Sequence, residues 1–390
     1  MFDTIKKYAD ALEPELKALS LSIHDHPELG EEEFFACEQH CALLEKYGFA
    51  VERNFMNLPT AFKAVYRSSK PGPTIAFLAE YDALPGIGHG CGHSILGTVS
   101  TGAGIVASKL LEEIGGVIEV YGTPAEETNG NKALMADGGA FDKVDAAMMT
   151  HPSDAYYRSG SSNGIVPLRF EYFGKTAHAA GCPEMGINAL HAVISLFNNI
   201  SALREHFQSD ARVHGVIKEG GKAANVVPDY TMAEFYVRAA KKSYLEKLVE
   251  QVKNCAEAAA LSNGAKVKIT NFEACYDNMI TNEALSDVLT ENLLAVGIPE
   301  VLPARDSMGS TDAGNVSQRC PMVHGYFSIS DHGYVPGHTV EFAECAASDY
   351  AHEQMILNVR AFAMSAYQLL TQPELLAKIK EEFTASMADR

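Results

Sequence analysis

The sequence predicts an α/β protein, a mostly parallel sheet covered by helices, into which a smaller ferredoxin-like α+β domain is inserted. Three observations carry this. Residues 1–164 alternate short apolar runs with helical patterns, as a parallel sheet with crossover helices requires. Residues 165–274 change to the order strand, helix, strand, strand, helix, strand, the split βαβ layout. Residues 275–390 resume the first pattern and close with helices from Ala347 onward. The length of 390 residues agrees, because single cores stop growing beyond about 250–300 residues.

In the first segment, residues 74–78, 117–121 and 146–149 read as buried strands. Each runs into polar residues: Glu80 and Asp82, then Glu126 and Glu127, then His151. Ligands of open α/β sheets sit outside the carboxyl ends of the strands, so a site is expected there. In the insert, strands are expected at 168–173, 213–218, 232–237 and 266–271, and helices at 188–207 and 244–261. A further buried strand is expected at 322–329.

Composition sets the class of partner. Hydrophobic residues make up 47% and charged residues 21%, a globular balance. Fifty acidic against 31 basic residues give a formal charge of -19, which argues against nucleic acid and anionic membranes. The first residues mix Lys6, Lys7, Glu13, Glu15 and Lys17 with apolar ones, unlike a signal peptide, and no stretch approaches the ~18 apolar residues of a membrane span. A cytoplasmic address and a small-molecule substrate are expected. The eight cysteines are scattered rather than concentrated as in a disulfide framework, and most are expected to be buried thiols.

Cys91 differs. In Gly88-His89-Gly90-Cys91-Gly92-His93 a thiol and an imidazole lie two apart in a glycine-rich loop, a pairing that suits zinc and related ions, though a buried cysteine beside a surface histidine would read the same way. Pro124-Ala125-Glu126-Glu127-Thr128 follows a buried strand. Paired carboxylates at a strand end are commonly just solvated, but at a dinuclear site one can ligate while its neighbour takes a proton from water. His151 and His338, the latter in Pro336-Gly337-His338-Thr339, could each be structural or a ligand. Gly102-Ala103-Gly104-Ile105-Val106-Ala107 fits a dinucleotide-binding pattern on paper. It lies inside the helical pattern of residues 95–111, so close helix packing explains it better.

Taken together, the chain resembles the aminoacylase and glutamate carboxypeptidase family of dinuclear metallohydrolases over nearly its whole length. It is nearest to the amidohydrolase branch with aminobenzoyl-glutamate and indoleacetyl-amino-acid hydrolases. His26-Pro27-Glu28-Leu29-Gly30 with Glu33, Asp82-Ala83-Leu84-Pro85, Cys91-Gly92-His93, Pro124-Ala125-Glu126-Glu127 and His338 occur in the family's order. The resemblance implies that Cys91, His93, Glu127, His151 and His338 hold two divalent ions, zinc or manganese, with Glu126 as general base. Many members carry His-x-Asp where this chain has Glu80-Tyr81-Asp82; Cys91 replaces the missing imidazole as a possible bridge, and Asp82 orients a ligand. The insert resembles the family's lid, which also forms the homodimer contact. His178, in Gly174-Lys175-Thr176-Ala177-His178-Ala179, then stabilises the oxyanion in the partner subunit's site. Asn225 and Arg238 match residues that bind a substrate carboxylate, and Ser310 matches a pocket-lining loop, where a plain turn is the alternative.

The expected reaction is metal-dependent hydrolysis of the amide bond of N-acyl amino acids or dipeptide-like substrates. Two rivals remain: a metal-free cysteine amidase using Cys91 as nucleophile, and a non-catalytic binding protein on the same fold.

Overall fold

Parallel strands with helices on both faces must be apolar on both sides, and the apolar runs fold accordingly. In the computed structural model, which describes residues 1–305 and 309–388, the strands are β1 (Ala50–Arg53), β2 (Phe62–Arg67), β3 (Thr74–Ala79), β4 (Val117–Gly122), β5 (Ala146–Ser153), β6 (Gly164–Phe173), β7 (Arg212–Glu219), β8 (Tyr230–Ala239), β9 (Lys266–Thr270) and β10 (Met322–Ser328). They form a six-stranded sheet of order β1-β2-β4-β3-β5-β10 and a four-stranded sheet of order β7-β8-β6-β9.

Two compact units contain these sheets. One comprises Met1–Ser161, Met279–Ser307 and Asp312–Asp389; the other comprises Ser162–Asn278 with Met308–Thr311. Chain entry and exit of the second unit are stitched together where Ile165 and Tyr276 exchange backbone hydrogen bonds of 2.8 and 3.0 Å.

In the first unit β4, β3, β5 and β10 run parallel, and β1 and β2 add an antiparallel edge. Alternate residues of β3 feed opposite cores. Ile75, Phe77 and Ala79 pack with the helices Phe2–His24, His93–Ser108 and Asp349–Thr371, while Ala76 and Leu78 pack with Met135, Phe141 and Val316. Every residue of His93–Ser108 is buried, and the small residues noted above lie inside that helix. A Cβ on Gly102 would stand 2.6 Å from Leu16 Cδ1, and one on Gly104 would stand 2.4 Å from Val120 Cγ2. Gly102 lets this helix approach the helix Phe2–His24, and Gly104 lets it approach the sheet at β4.

β5 is longer than the sequence suggests. It continues through His151 to Ser153 because β10 pairs with it as far as Ser328, so His151 lies within a strand rather than after one.

The second unit has the ferredoxin-like strand order, all neighbours antiparallel. β8 alternates strictly between buried and half-buried residues, as a sheet covered on one face requires. The helices Ala189–Leu203 and Lys242–Asn263 supply that cover. Asn188 caps the first by accepting from Leu190 and His191 N–H, and Gly264, left-handed at φ 70°, ends the second. The first helix stops at Leu203 and passes into a 3-10 turn, Arg204–His206, short of the expected Phe207.

Gly104→Val should force Val120 aside and lower stability by about 1–3 kcal/mol, the usual range for overpacking. A urea midpoint equal to that of the parent protein would contradict the packing role of this glycine.

Candidate metal centre

The carboxyl ends of β3, β4 and β5 deliver the polar residues to one place. After β3 come Glu80 and Asp82, both buried, then the loop to Cys91. Gly92, left-handed at φ 74°, turns that loop into the helix starting at His93; a Cβ there would meet Pro152 Cγ at 2.8 Å. After β4, Ala125 is also left-handed, at φ 63°, and turns the chain into Glu126 and Glu127. His338 shares that conformation, φ 63°, and donates its N–H to Gly90 O at 2.9 Å, which ties the late loop to the cysteine loop. Left-handed backbone at non-glycine residues is uncommon and collects at functional sites.

Two sets of donor atoms converge. Those of Cys91, His93 and His151 lie within 4.8 Å of one another, and so do those of Cys91, Glu127 and His338. Cys91 belongs to both. The imidazoles are held in the tautomer a metal needs. His93 Nδ1 donates to Asp82 Oδ1 at 2.9 Å and His151 Nδ1 donates to Pro152 O at 2.8 Å, which leaves each Nε2 as the nitrogen that would ligate a metal. Asp82 Oδ2 accepts the Glu127 N–H at 2.9 Å, so one carboxylate steadies two of the gathered residues. His93 Nε2 and Glu127 Oε1 are buried without a hydrogen-bond partner. Buried polar atoms lacking partners call for an ion or water, and the mixed thiol, imidazole and carboxylate set fits a pair of divalent cations.

Glu126 and Glu127 form a third group with His93, and deeper in Glu80, Glu126 and Asp312 form a fourth. Among the described residues Lys132 is the one lysine or arginine classed as buried, and it serves this group. Its Nζ lies 2.7 Å from Glu80 Oε1 and 2.6 Å from Asp312 Oδ1, and its backbone N–H donates to Asp312 Oδ2 at 3.0 Å. Glu80 Oε2 also lies 3.2 Å from His93 Nε2. Burial opposes the ionisation of Glu80, but Lys132 and His93 outweigh it and bring its carboxyl down to about 2. Burial, reinforced by Glu80 and Asp312, holds the Glu126 carboxyl well above its ordinary value, the direction that suits a proton acceptor near neutrality. Burial pushes the Cys91 thiol up to about 12, so without a metal Cys91 is not a thiolate nucleophile at neutral pH.

The other sequence-selected residues belong to the second unit. His178 is exposed, and its Nδ1 accepts from the backbone N–H of Ala180 and Gly181 at 3.2 and 3.0 Å, leaving Nε2–H free to donate. It forms a bridge with Val226, and Ala179 N–H donates to Asn225 O at 3.0 Å, so His178 and Asn225 sit on adjoining loops. Arg238 Nη1 donates to Ser310 Oγ at 2.9 Å, with the guanidinium 5.7 Å from the centre of the Tyr236 ring.

A thiol common to two groups of potential metal ligands, with two carboxylates beside it, is the arrangement a metal-dependent hydrolase of the co-catalytic type requires. The comparisons with known proteins agree. A model of a peptidase dimerisation domain, from the M20 group, matches residues 161–263. The Xaa-Arg dipeptidase of Mus musculus is 36% identical over 397 residues, covering 96% of this chain and 90% of its own length. One of the component chains of the p-aminobenzoyl-glutamate hydrolase of Escherichia coli is 30% identical over 437 residues, covering 92% and 90%. Among solved structures, an aminobenzoyl-glutamate utilization protein from Klebsiella pneumoniae superposes with a TM-score of 0.74 at 19% identity, covering 94% of this chain and 99% of that one. A Bacillus subtilis protein described as a dinuclear metal binding peptidase superposes with 0.70 at 21%, covering 93% and 99%. The chain belongs to the M20 peptidase family, metal-dependent hydrolases of amide bonds. No described helix is long and apolar enough to cross a membrane.

Lys132 and Asp312 were given no role by the sequence reading, and Glu80, though placed at the expected site, was given none of its own. One signal was present for the lysine. In the helix Asn131–Asp137, Lys132 is buried while Leu134 is 48% exposed, an inversion of the usual polarity. His324 and Tyr326 were likewise unassigned, and their rings pack 6.0 Å from that of His151. The cysteines also divide more evenly than expected: Cys37, Cys41, Cys320 and Cys345 are buried, Cys91, Cys182 and Cys255 half-buried, and Cys275 exposed.

Lys132→Met should strand two buried carboxylates and destabilise the metal-free protein by about 3–5 kcal/mol, and adding Glu80→Gln and Asp312→Asn should restore much of that loss. Chemical denaturation in chelator reads both, and a single variant as stable as the parent would contradict the charge-matching role.

Proposed function

We propose that this enzyme hydrolyses dipeptides bearing a free carboxylate, with Cys91, His93, Glu127, His151 and His338 holding two divalent ions and Glu126 acting as base. The observation that carries the reading is the membership of Cys91 in two groups of potential ligands, with Glu126 beside them, close to His93 and Glu127 and to the buried acids Glu80 and Asp312. Bound there, zinc or manganese would supply a water of lowered pKa and Lewis-acid polarisation of the scissile carbonyl. The chain's own residues do the rest. Glu126 accepts the proton of the attacking water and returns it to the departing amine. Asp82 keeps the His93 imidazole oriented through its Nδ1. His178, through its free Nε2–H, stabilises the developing oxyanion in the partner subunit of a homodimer, a reading supported by the match to a dimerisation domain. Arg238 and Asn225 bind the substrate carboxylate, with Ser310 holding the guanidinium in place.

The 36% identity to Xaa-Arg dipeptidase favours dipeptides with a C-terminal arginine over aminobenzoyl-glutamate or N-acetyl amino acids. A panel of these three classes, assayed after reconstitution with zinc or manganese, should give the highest kcat/KM for the dipeptides. Uniform inactivity would contradict the reading. Glu126→Gln should keep its bound metal while kcat falls by about 10²–10⁴-fold, the usual contribution of a general base; an unaltered kcat would remove Glu126 from that role.

A further inference from the structure

Two adjacent carboxylates on one turn can serve as base and ligand only if the backbone presents each to its own partners. Here Glu127 joins Cys91 and His338, Glu126 joins Glu80 and Asp312, and the two carboxylates also meet in a group with His93. The turn that presents them is made at Ala125, the buried left-handed residue before them. An alanine stays in that conformation only where its surroundings over-determine it.

The surroundings are supplied by a segment far away in sequence. Glu33 is fully buried; its Oε1 accepts the Ala125 N–H at 2.7 Å and its Oε2 accepts the Thr60 hydroxyl at 2.8 Å. The chain before Glu33 is pressed against the same turn. A Cβ on Gly30 would lie 2.2 Å from Thr128 Oγ1 and 3.0 Å from Ala125 Cα, and Asn129 Nδ2 donates to Glu31 Oε1 at 2.6 Å. It is anchored in turn at its start, where Glu28 O accepts the Ala83 N–H at 2.8 Å and the Glu28 carboxylate accepts from Phe35 and Ala36 N–H. The carboxylate that holds Ala125 therefore sits in a frame fastened also to the residue after Asp82.

We propose that Glu33 is a positioning residue, which by accepting the Ala125 N–H holds the left-handed turn that presents Glu126 and Glu127 each to its own partners. This rests on the roles given to those two residues above. The bond needs an acceptor oxygen rather than a charge. Burial, and then the charge of Asp82, push the Glu33 carboxyl up to about 7, and it can accept from Ala125 in either protonation state. Glutamine should therefore replace it, while a shorter or absent side chain should not.

The test compares E33A, E33D and E33Q in the reconstituted enzyme, measuring kcat, KM, thermal unfolding, and metal affinity by chelator competition. E33A and E33D should lose about 10- to 100-fold in kcat, the penalty of a misplaced catalytic group. They should also bind their metal about tenfold more weakly, as loss of a supporting hydrogen bond does elsewhere, with little change in KM. E33Q should recover most of both. If E33A does not fold, E33D against E33Q carries the comparison. A folded E33D with parental kcat and metal affinity would overturn the proposal, as would an E33Q as impaired as E33D. E126Q assayed alongside separates the two levels: an inactive E126Q beside a fully active E33D overturns the positioning role alone, whereas an active E126Q overturns the base assignment and this proposal with it.

Discussion

Gathering carboxylates inside a protein requires countercharge, and the first unit is organised around that requirement. Glu80 and Asp82 are buried next to His93 and Asp312 next to Lys132, and Glu126 and Glu127 stand half-buried at their side. An isolated buried carboxylate is so unfavourable that it ordinarily takes up a proton instead. Lys132 answers part of the demand with contacts of 2.7 and 2.6 Å to Glu80 and Asp312. Its position divides the acids by function. Those it pairs with are committed to the lysine, whereas among the described residues no lysine or arginine forms an ion pair with a member of the Cys91, Glu127 and His338 set. A bound cation would complete the balance there. Lys132 is thus a fixed charge behind a site intended for exchangeable ones.

The fold serves this arrangement by bringing strand ends together and bending the backbone sharply beyond them. Parallel β3, β4 and β5 end side by side, so residues distant in sequence arrive on one edge of the sheet. Left-handed residues follow two of those strands, at Gly92 and Ala125, and a third lies at His338. Each is held by a close neighbour: Pro152 against Gly92, Glu33 on Ala125, and Gly90 O on the His338 N–H. Strain of this kind persists where packing and hydrogen bonding over-determine it, which ties the precision of the site to the rigidity of the sheet and its covering helices.

Much of this was legible in the sequence, for identifiable reasons. Apolar runs that are buried on both faces cannot hide, so β3 and β4 lie close to their expected places, and the alternating runs of the insert show its strands. The order of short motifs around Cys91, Glu126 and His338 pointed to a metal centre because residues of that chemistry rarely recur together. What stayed hidden depends on partners far apart in the chain. Lys132 and Asp312 are separated by 180 residues and Glu33 and Ala125 by 92, and neither pairing leaves a local trace beyond a lysine on the wrong face of a helix. The extension of β5 through His151 was invisible for the same reason, since pairing with β10 sets it.

Cys91 belongs to both groups of potential ligands, so it is the residue on which a two-ion site would depend. X-ray absorption spectroscopy of the zinc-reconstituted enzyme tests that dependence most directly. A sulfur scatterer is expected in the zinc shell at about 2.3 Å, with a second zinc at about 3.5–4 Å, and both features should be lost in Cys91→Ala. A shell of nitrogen and oxygen alone, unchanged by that substitution, would contradict it.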